Sequence, residues 1–290
     1  MQRIGIFGAS GYLGSYLVNS ALTKGFSVTA FVRSMPKASQ LQKDPRVEYR
    51  QIDITNAKSL NSQLTDCDTI ISTVGITRQK EGYSYDDIDY RANLNILREA
   101  QESGISRFIY IGVFKGQDFV QTALCRAKER FVSEIADSQI EFCIVRPTGF
   151  FSDMAEIFEM AKKGQVFLFG NGELQLNPIH GKDLADSIVN ELLQSIRPLP
   201  KNFTIGGPIV YTQNEIAELA FNVLGQKENI TRLPHWVRVT ALRLGKIFLS
   251  SKLFGPFEFF LTSIATDMSA PQYGNITLKT FFESLARKSD

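Results

Sequence analysis

Arg3-Ile4-Gly5-Ile6-Phe7-Gly8-Ala9-Ser10-Gly11-Tyr12-Leu13-Gly14 decides how this chain folds. Arg3–Phe7 reads as a strand, and Gly14–Lys24 reads as a helix. The three spaced glycines lie between them, where a strand must turn at once into a helix. Gly8 permits the tight turn, Gly11 lets a bound group approach the backbone, and Gly14 allows close packing of helix on strand. A helix N-terminus also presents N–H groups without intrahelical partners and the positive end of the helix dipole.

Outward from that turn, short apolar runs alternate with helical stretches. Strands are expected at Ser27–Val32, Val47–Ile52, Thr69–Val74, Phe108–Gly112 and Glu141–Arg146. Helices are expected at Leu60–Leu64, Tyr90–Ser103 and Thr122–Ser138. Strands separated by helices of this length imply right-handed crossovers and a parallel sheet. Near-continuous apolar strands such as Thr69–Val74 suit a sheet buried on both faces. The fold class is therefore α/β: a Rossmann doubly wound parallel sheet with helices on both faces and a small C-terminal annex. Residues 1–150 form the expected dinucleotide-binding core. Residues 151–290 form a mixed region that returns a late strand and helices to it. In that region helices are expected at Asp153–Lys163, Lys182–Gln194, Thr212–Leu224 and His235–Ser250, with a strand at Phe203–Ile205. Thr212 and Glu215 make a capping box for the third of these helices.

Composition narrows the function classes. The chain has 290 residues, 43% hydrophobic and 21% charged, with net charge +2. That charge makes no electrostatic case for nucleic acid. Cys67, Cys125 and Cys143 show no paired spacing, so neither a metal site nor a disulfide framework is expected. The opening residues lack the pattern of a signal peptide, and a reducing, cytoplasmic setting is the expectation. No run is long and uncharged enough to span a bilayer. Residues 235–262 mix Arg and Lys with aromatics, which leaves membrane-surface association open. No feature signals an oligomeric state. Many of the 22 phenylalanines crowd the second half. They read as a bulky core or as the wall of an apolar pocket.

The glycine turn, in its strand-to-helix context, is the fingerprint of a dinucleotide site, with Gly8, Ser10, Gly11, Tyr12, Leu13 and Gly14 against the pyrophosphate. The end of the second strand chooses between dinucleotides, because it lies beside the adenosine ribose. Ala30-Phe31-Val32-Arg33-Ser34 carries no acid there. An acid would repel a 2′-phosphate, whereas Arg33 can pair with it bidentately, helped by the Ser34 hydroxyl and Lys37. NADP(H) is the expected cofactor. A solvated surface arginine is the alternative for Arg33. Asp53, with Ile54, can accept the adenine amino group or cap a turn. Thr73, Val74 and Gly75 end the fourth strand, where small residues let the backbone run beneath the cofactor.

These residues resemble the atypical and extended short-chain dehydrogenase/reductases. The GxxGxxG spacing and the Asp53-Ile54 pair are similar to theirs. So are Asp89-Tyr90-Arg91-Ala92-Asn93-Leu94-Asn95, Arg146-Pro147-Thr148-Gly149, Asn177-Pro178-Ile179-His180-Gly181-Lys182-Asp183 and Ile205-Gly206-Gly207-Pro208. The resemblance covers about residues 1–225 and is nearest to the NmrA-like branch, with its isoflavone-reductase-type enzymes and divinyl chlorophyllide reductases. It implies that Pro147, Thr148 and Gly149 run past the nicotinamide.

The chain departs from that pattern where the chemistry lies. Gly112 stands at the usual serine, and Leu124 at the tyrosine of Tyr-x-x-x-Lys, while Lys128 is kept. Leucine cannot donate a proton, so the usual carbonyl-reduction route is not available from these residues. Two readings stay open. Lys128 positions the nicotinamide ribose and assists proton delivery, in a reductase of an apolar unsaturated or quinone-like substrate. Otherwise it only anchors the cofactor, in a redox sensor, regulator or assembly factor. A solvated lysine paired with Glu129 or Glu134 is the purely structural alternative. A sugar-nucleotide epimerase fits less well without the tyrosine. Tyr83, Tyr85 and Tyr90 follow the fourth strand, and any of them is a candidate to replace it. Phe150, Phe151 and His235 are the expected substrate wall, although His235 also reads as a packed histidine. His180 reads as local structure before a helix capped by Asp183.

Overall fold

A computed structural model describes residues 2–35, 44–76, 82–195 and 198–287. They form a seven-stranded central sheet, β3-β2-β1-β4-β5-β6-β9, and two small two-stranded sheets. The central strands are β1 (Arg3–Phe7), β2 (Ser27–Val32), β3 (Val47–Gln51), β4 (Thr69–Ser72), β5 (Arg107–Ile111), β6 (Glu141–Pro147) and β9 (Asn202–Ile205). Every pairing from β3 through β6 is parallel. Beside β6, the N–H groups of Ile144 and Thr148 donate to the carbonyls of Lys201 and Ile205. This constant offset makes β9 parallel too. Rossmann topology, expected from the alternation of strands and helices, is therefore present. Its strand order reverses between β1 and β4, and at such a switch point the crevice beyond the strand ends binds ligands.

The chain divides into two compact units, one of residues up to Arg146 with Leu184–Phe203, the other of Pro147–Asp183 with everything from Thr204 onward. In the first, α1 (Tyr12–Thr23), α2 (Asn93–Glu102) and α3 (Ala123–Ala136) flank the strands. A core cluster includes Phe7, Phe31, Ile70, Phe108, Phe131 and Ile144. The Phe7 and Phe31 rings stack at 4.2 Å. Arg146, buried, and Glu129, half-buried, form a bidentate pair at 2.6 and 2.9 Å, and the same guanidinium donates to Asn202 Oδ1 and to the Val113 carbonyl. Such a pair fixes how α3 meets β6 more than it adds to stability. Cys67, Cys125 and Cys143 are buried free thiols. Burial pushes their pKa values up to about 11, 11 and 12, respectively.

Several expected elements differ. The helix expected at Leu60–Leu64 is a 3₁₀ turn at Ala57–Leu60, begun by Asn56, whose side chain accepts the Lys58 N–H. The helix expected from Tyr90 begins earlier, as a π-helical turn over Asp86–Ala92. The Asn93 amide explains the widening, because it donates to the carbonyls of Ile88 and Asp89. It thereby occupies acceptors that regular helix geometry would use.

The second unit holds α4 (Phe151–Lys162), β7 (Val166–Phe169), β8 (Gln175–Leu176), α5 (Gly181–Ile188, which crosses back to the first unit), β10 (Tyr211–Thr212), α6 (Gln213–Leu224) and β11 (Ile230–Leu233). It ends with α7 (His235–Phe248), α8 (Ser251–Ser263) and α9 (Leu278–Arg287). The capping box of Thr212 and Glu215 is formed. Phe151, Phe158, Phe221 and Phe282 fill its core, so much of the phenylalanine excess is packing. β7, β11, α8 and α9 were not expected from the sequence. Asp183 accepts the backbone N–H groups of Asn275 and Ile276 at 2.9 and 2.8 Å. It thus holds a distant strand of chain as well as standing in the first turn of α5.

Candidate functional site

The glycine turn lies at the end of β1, at the switch point. Gly8 has φ +75°, a left-handed conformation that glycine adopts without strain. Gly8 and Gly14 also answer steric limits. A Cβ on Gly8 would lie 2.5 Å from Thr73 Oγ1, and one on Gly14 would lie 2.1 Å from the Gly8 carbonyl oxygen. Gly11 closes the turn, its N–H donating to that carbonyl at 2.8 Å. Gly11 is also the N-cap of α1, where no side chain caps the helix and no acidic residue stands in the first turn. Leu13 is buried, so its backbone is what it offers the turn; Tyr12 is exposed and Ser10 half-buried. The arrangement leaves the positive helix end for an anion, and the cradle fits a pyrophosphate. Replacing Gly14 by Ala is expected to abolish NADPH binding and to cost about 2 kcal/mol of stability, since the backbone must shift to relieve the clash. Isothermal titration and thermal melting check this.

Arg33 is exposed and Ser34 half-buried just beyond β2. Lys37 lies outside the described residues. Asp53 uses Oδ1 to accept the Thr55 N–H and hydroxyl at 3.0 and 2.6 Å, so it makes the turn expected as its alternative role. Thr73 ties the end of β4 to that of β1, its hydroxyl donating to the Phe7 carbonyl at 2.9 Å. Val74 is buried and Gly75 exposed.

Beneath Gly75 lies a buried polar cluster that the sequence reading did not assemble. Lys128 Nζ is 3.1 Å from Asp89 Oδ1. It also donates to Tyr110 Oη at 3.3 Å and the Ile111 carbonyl at 3.4 Å. Asp89 Oδ2 accepts the Ile76 N–H at 3.3 Å. A Cβ on Gly75 would fall 2.7 Å from Asp89 Oδ1 and 3.0 Å from Lys128 Nζ. Lys128 is therefore not a solvated helix lysine, and neither expected carboxylate is its partner. Glu129 binds Arg146, and Glu134 accepts the Tyr90 hydroxyl at 2.7 Å. Complete burial pushes the Asp89 carboxyl above its ordinary value, against the opposing charge of Lys128. Burial acts to lower the Lys128 ammonium, but the Tyr110 phenol and Asp89 carboxylate outweigh it and hold it above its ordinary range. Burial also pushes the Tyr110 phenol up to about 12.

Leu124 and Gly112 are buried. Of the tyrosines that follow β4, Tyr85 is buried, Tyr83 is exposed, and Tyr90 is engaged by Glu134 with Arg130 over its ring. Asp89 and Tyr110 were the residues missed. Their signal was an acid and a phenol at positions whose helix and strand periodicity predicts burial.

In the second unit, Thr148 donates its hydroxyl to the Asn177 carbonyl and its N–H to the Ile205 carbonyl. Gly149 accepts the Ile179 N–H at its carbonyl. The segments quoted for the resemblance around Thr148, Asn177 and Gly206 therefore form one hydrogen-bonded cluster, into which Asn177 also draws Ala270. Phe150 is half-buried and caps α4. Phe151 does not offer a ligand a free face. Its ring is 1% exposed and packs on His180 and Phe281. His180 Nδ1 accepts the Lys182 N–H, a local structural bond. Burial lowers the pKa of the His180 imidazole. His235 opens α7, its ring against the Gly170 backbone, where an added Cβ would lie 2.5 Å from Nε2.

The profile of a family described as NAD(P)H-binding matches residues 8–195. Divinyl chlorophyllide a 8-vinyl-reductase of Oryza sativa subsp. indica is 29% identical over 98% of this chain and 78% of its own. Photosystem II assembly factor Ycf39 of Guillardia theta is 26% identical over 79% of this chain and 72% of its own. Among solved structures, NADPH-dependent quinone oxidoreductase QOR2 of Escherichia coli, complexed with NADPH, superposes with a TM-score of 0.78. It has 18% identity and covers 97% of this chain and 99% of its own. The glycine cradle, the switch point and the matched profile agree: this chain belongs to the NAD(P)H-binding family.

Proposed function

We propose that this protein is an NADP(H)-dependent reductase of the atypical short-chain type, acting on an apolar acceptor with a conjugated C=C or quinone-like system. The observation that carries the proposal is the Lys128–Asp89–Tyr110 cluster directly beneath Gly75. It holds a positive charge under the end of β4 while no acid stands at Leu124 or Gly112.

Bound NADPH supplies hydride. Gly8, Gly11, Gly14 and the start of α1 hold its pyrophosphate, and Arg33 with Ser34 selects the 2′-phosphate. Lys128 keeps its charge below Gly75, stabilising negative charge that develops above it. It donates to Tyr110 and Ile111 and pairs with the Asp89 charge, so it is held in place to position and stabilise rather than to deliver a proton. Reduction of a simple ketone needs an acid at the developing alkoxide. A quinone or an enone spreads the charge over a conjugated system and takes its proton from water. A protein with leucine at the acid position suits the second class. The similarity in sequence to a vinyl reductase supports the same class.

The test is NADPH oxidation against a panel of quinones, enones, conjugated vinyl compounds and simple aldehydes. Turnover is expected on the conjugated acceptors and not on the aldehydes. Preference for aldehydes sinks the proposed class. A second reading is a non-catalytic NADPH-binding assembly factor or regulator. The hold of Tyr110, Ile111 and Asp89 on Lys128 within the fold and the similarity to an assembly factor favour it. Tight NADPH binding without turnover on any acceptor would select it.

A further inference from the structure

We propose that the α7–α8 hairpin docks the protein on the surface of an anionic lipid bilayer.

The hairpin exposes what folding ordinarily hides. On α7, Trp236, Val239, Arg243, Leu244 and Ile247 recur at helical spacing and are all exposed, while Val237, Ala241, Leu242 and Gly245 turn inward. At the tip the apolar side chains stand almost wholly in solvent: Ile247 is 72% exposed, Phe248 78% and Leu253 65%. Trp236 is 67% exposed on the same helix. A contiguous set of large apolar side chains in water marks a contact surface. The hairpin itself is closely packed, because a Cβ on Gly245 would meet the Phe254 and Phe257 rings at 3.2 Å. Arg238 braces it from within, donating to the Leu261 carbonyl at 3.0 Å.

Charge identifies the partner. Between Glu228 and Glu258 the chain carries Arg232, Arg238, Arg243, Lys246 and Lys252 and no Asp or Glu. Arg238 points into the hairpin and Arg232 reaches Asn214. Arg243, Lys246 and Lys252 are exposed, interleaved with the apolar residues. A second copy meeting this face would set those cations against themselves with no acid to pair them. Phosphate headgroups above acyl chains satisfy both halves of the pattern, cations to the phosphates and Phe248, Ile247 and Leu253 to the chain boundary. The helices lie on such a surface rather than cross it. α7 has 14 residues and α8 has 13, whereas a bilayer core takes about 20 residues of helix.

Trp236 is the chain's single tryptophan, so the protein reports on its own docking. Full-length protein is mixed with phosphatidylcholine vesicles, with and without phosphatidylglycerol. Tryptophan emission and co-sedimentation are then read. With anionic vesicles the emission is expected to shift to the blue, acrylamide quenching to fall and the protein to sediment. Phosphatidylcholine alone should give none of these. Phe248→Ser is expected to weaken partitioning about tenfold. Lys246→Gln is expected to weaken it about fivefold, with the loss growing at low salt. NADPH affinity and melting temperature of each variant verify that it is folded. No binding to anionic vesicles overturns the proposal, as does equal binding by folded wild type and Phe248→Ser. So does self-association in sedimentation velocity that Phe248→Ser abolishes while vesicles bind neither protein.

Discussion

Arg33→Asp is expected to weaken NADPH binding about hundredfold, corresponding to about 3 kcal/mol, while NADH binding changes by less than about threefold. The difference is electrostatic. Arg33 stands exposed at the end of β2, where the topology brings the adenosine ribose of a bound dinucleotide. A guanidinium there pairs bidentately with a 2′-phosphate. An aspartate repels that phosphate and instead accepts the 2′-hydroxyl of NADH, so the substitution moves the two affinities in opposite directions. Fluorescence titration with both cofactors measures it. Equal losses for NADPH and NADH would remove Arg33 from cofactor choice.

Lys128→Met is expected to destabilise the protein by about 3 kcal/mol at neutral pH, whatever it does to turnover. It leaves Asp89, wholly buried, with only the Ile76 N–H to face its charge. The direction with pH follows from burial. Asp89 already titrates above its ordinary value because it is buried, with the Lys128 charge acting against that rise. Without Lys128 the opposing charge is gone and the folded-state pKa climbs further. An acid whose folded pKa is raised favours the protonated form in the fold. Its ionisation therefore destabilises the fold as pH rises above the unfolded value. The loss in melting temperature should be smaller at about pH 5 than at about pH 8. Asp89→Asn in the same chain should recover most of the stability at the higher pH, because it removes the unpaired carboxylate. A pH-independent loss, or no rescue, would show that the two side chains do not act as a pair. The double variant also separates roles. If its NADPH oxidation stays low once stability is regained, Lys128 contributes its charge to the reaction and not merely to folding.

The glycine turn, the parallel sheet and the place of Arg33 were legible in the sequence because each rests on local rules. Gly8 and Gly14 are demanded by the geometry of one tight turn, with Gly11 between them in a recognisable spacing, and the strands show as apolar runs between helices. The capping box of Thr212 and Glu215 is local in the same way. Leu124 and Gly112 could be read as departures because the lysine four residues on keeps the register. Tertiary structure decided the rest. Lys128 faces Asp89 rather than Glu129 or Glu134 in a fold where Glu129 is taken by Arg146 and Glu134 by the Tyr90 hydroxyl, partners distant in sequence. That Phe151 fills a core while Phe248 stands in water is not a property of phenylalanine. It follows from which helices find partners to pack against. Spacing along the chain encodes what a segment can form. Which charges meet, and which apolar faces stay uncovered, is settled only when segments distant in sequence compete for the same buried volume.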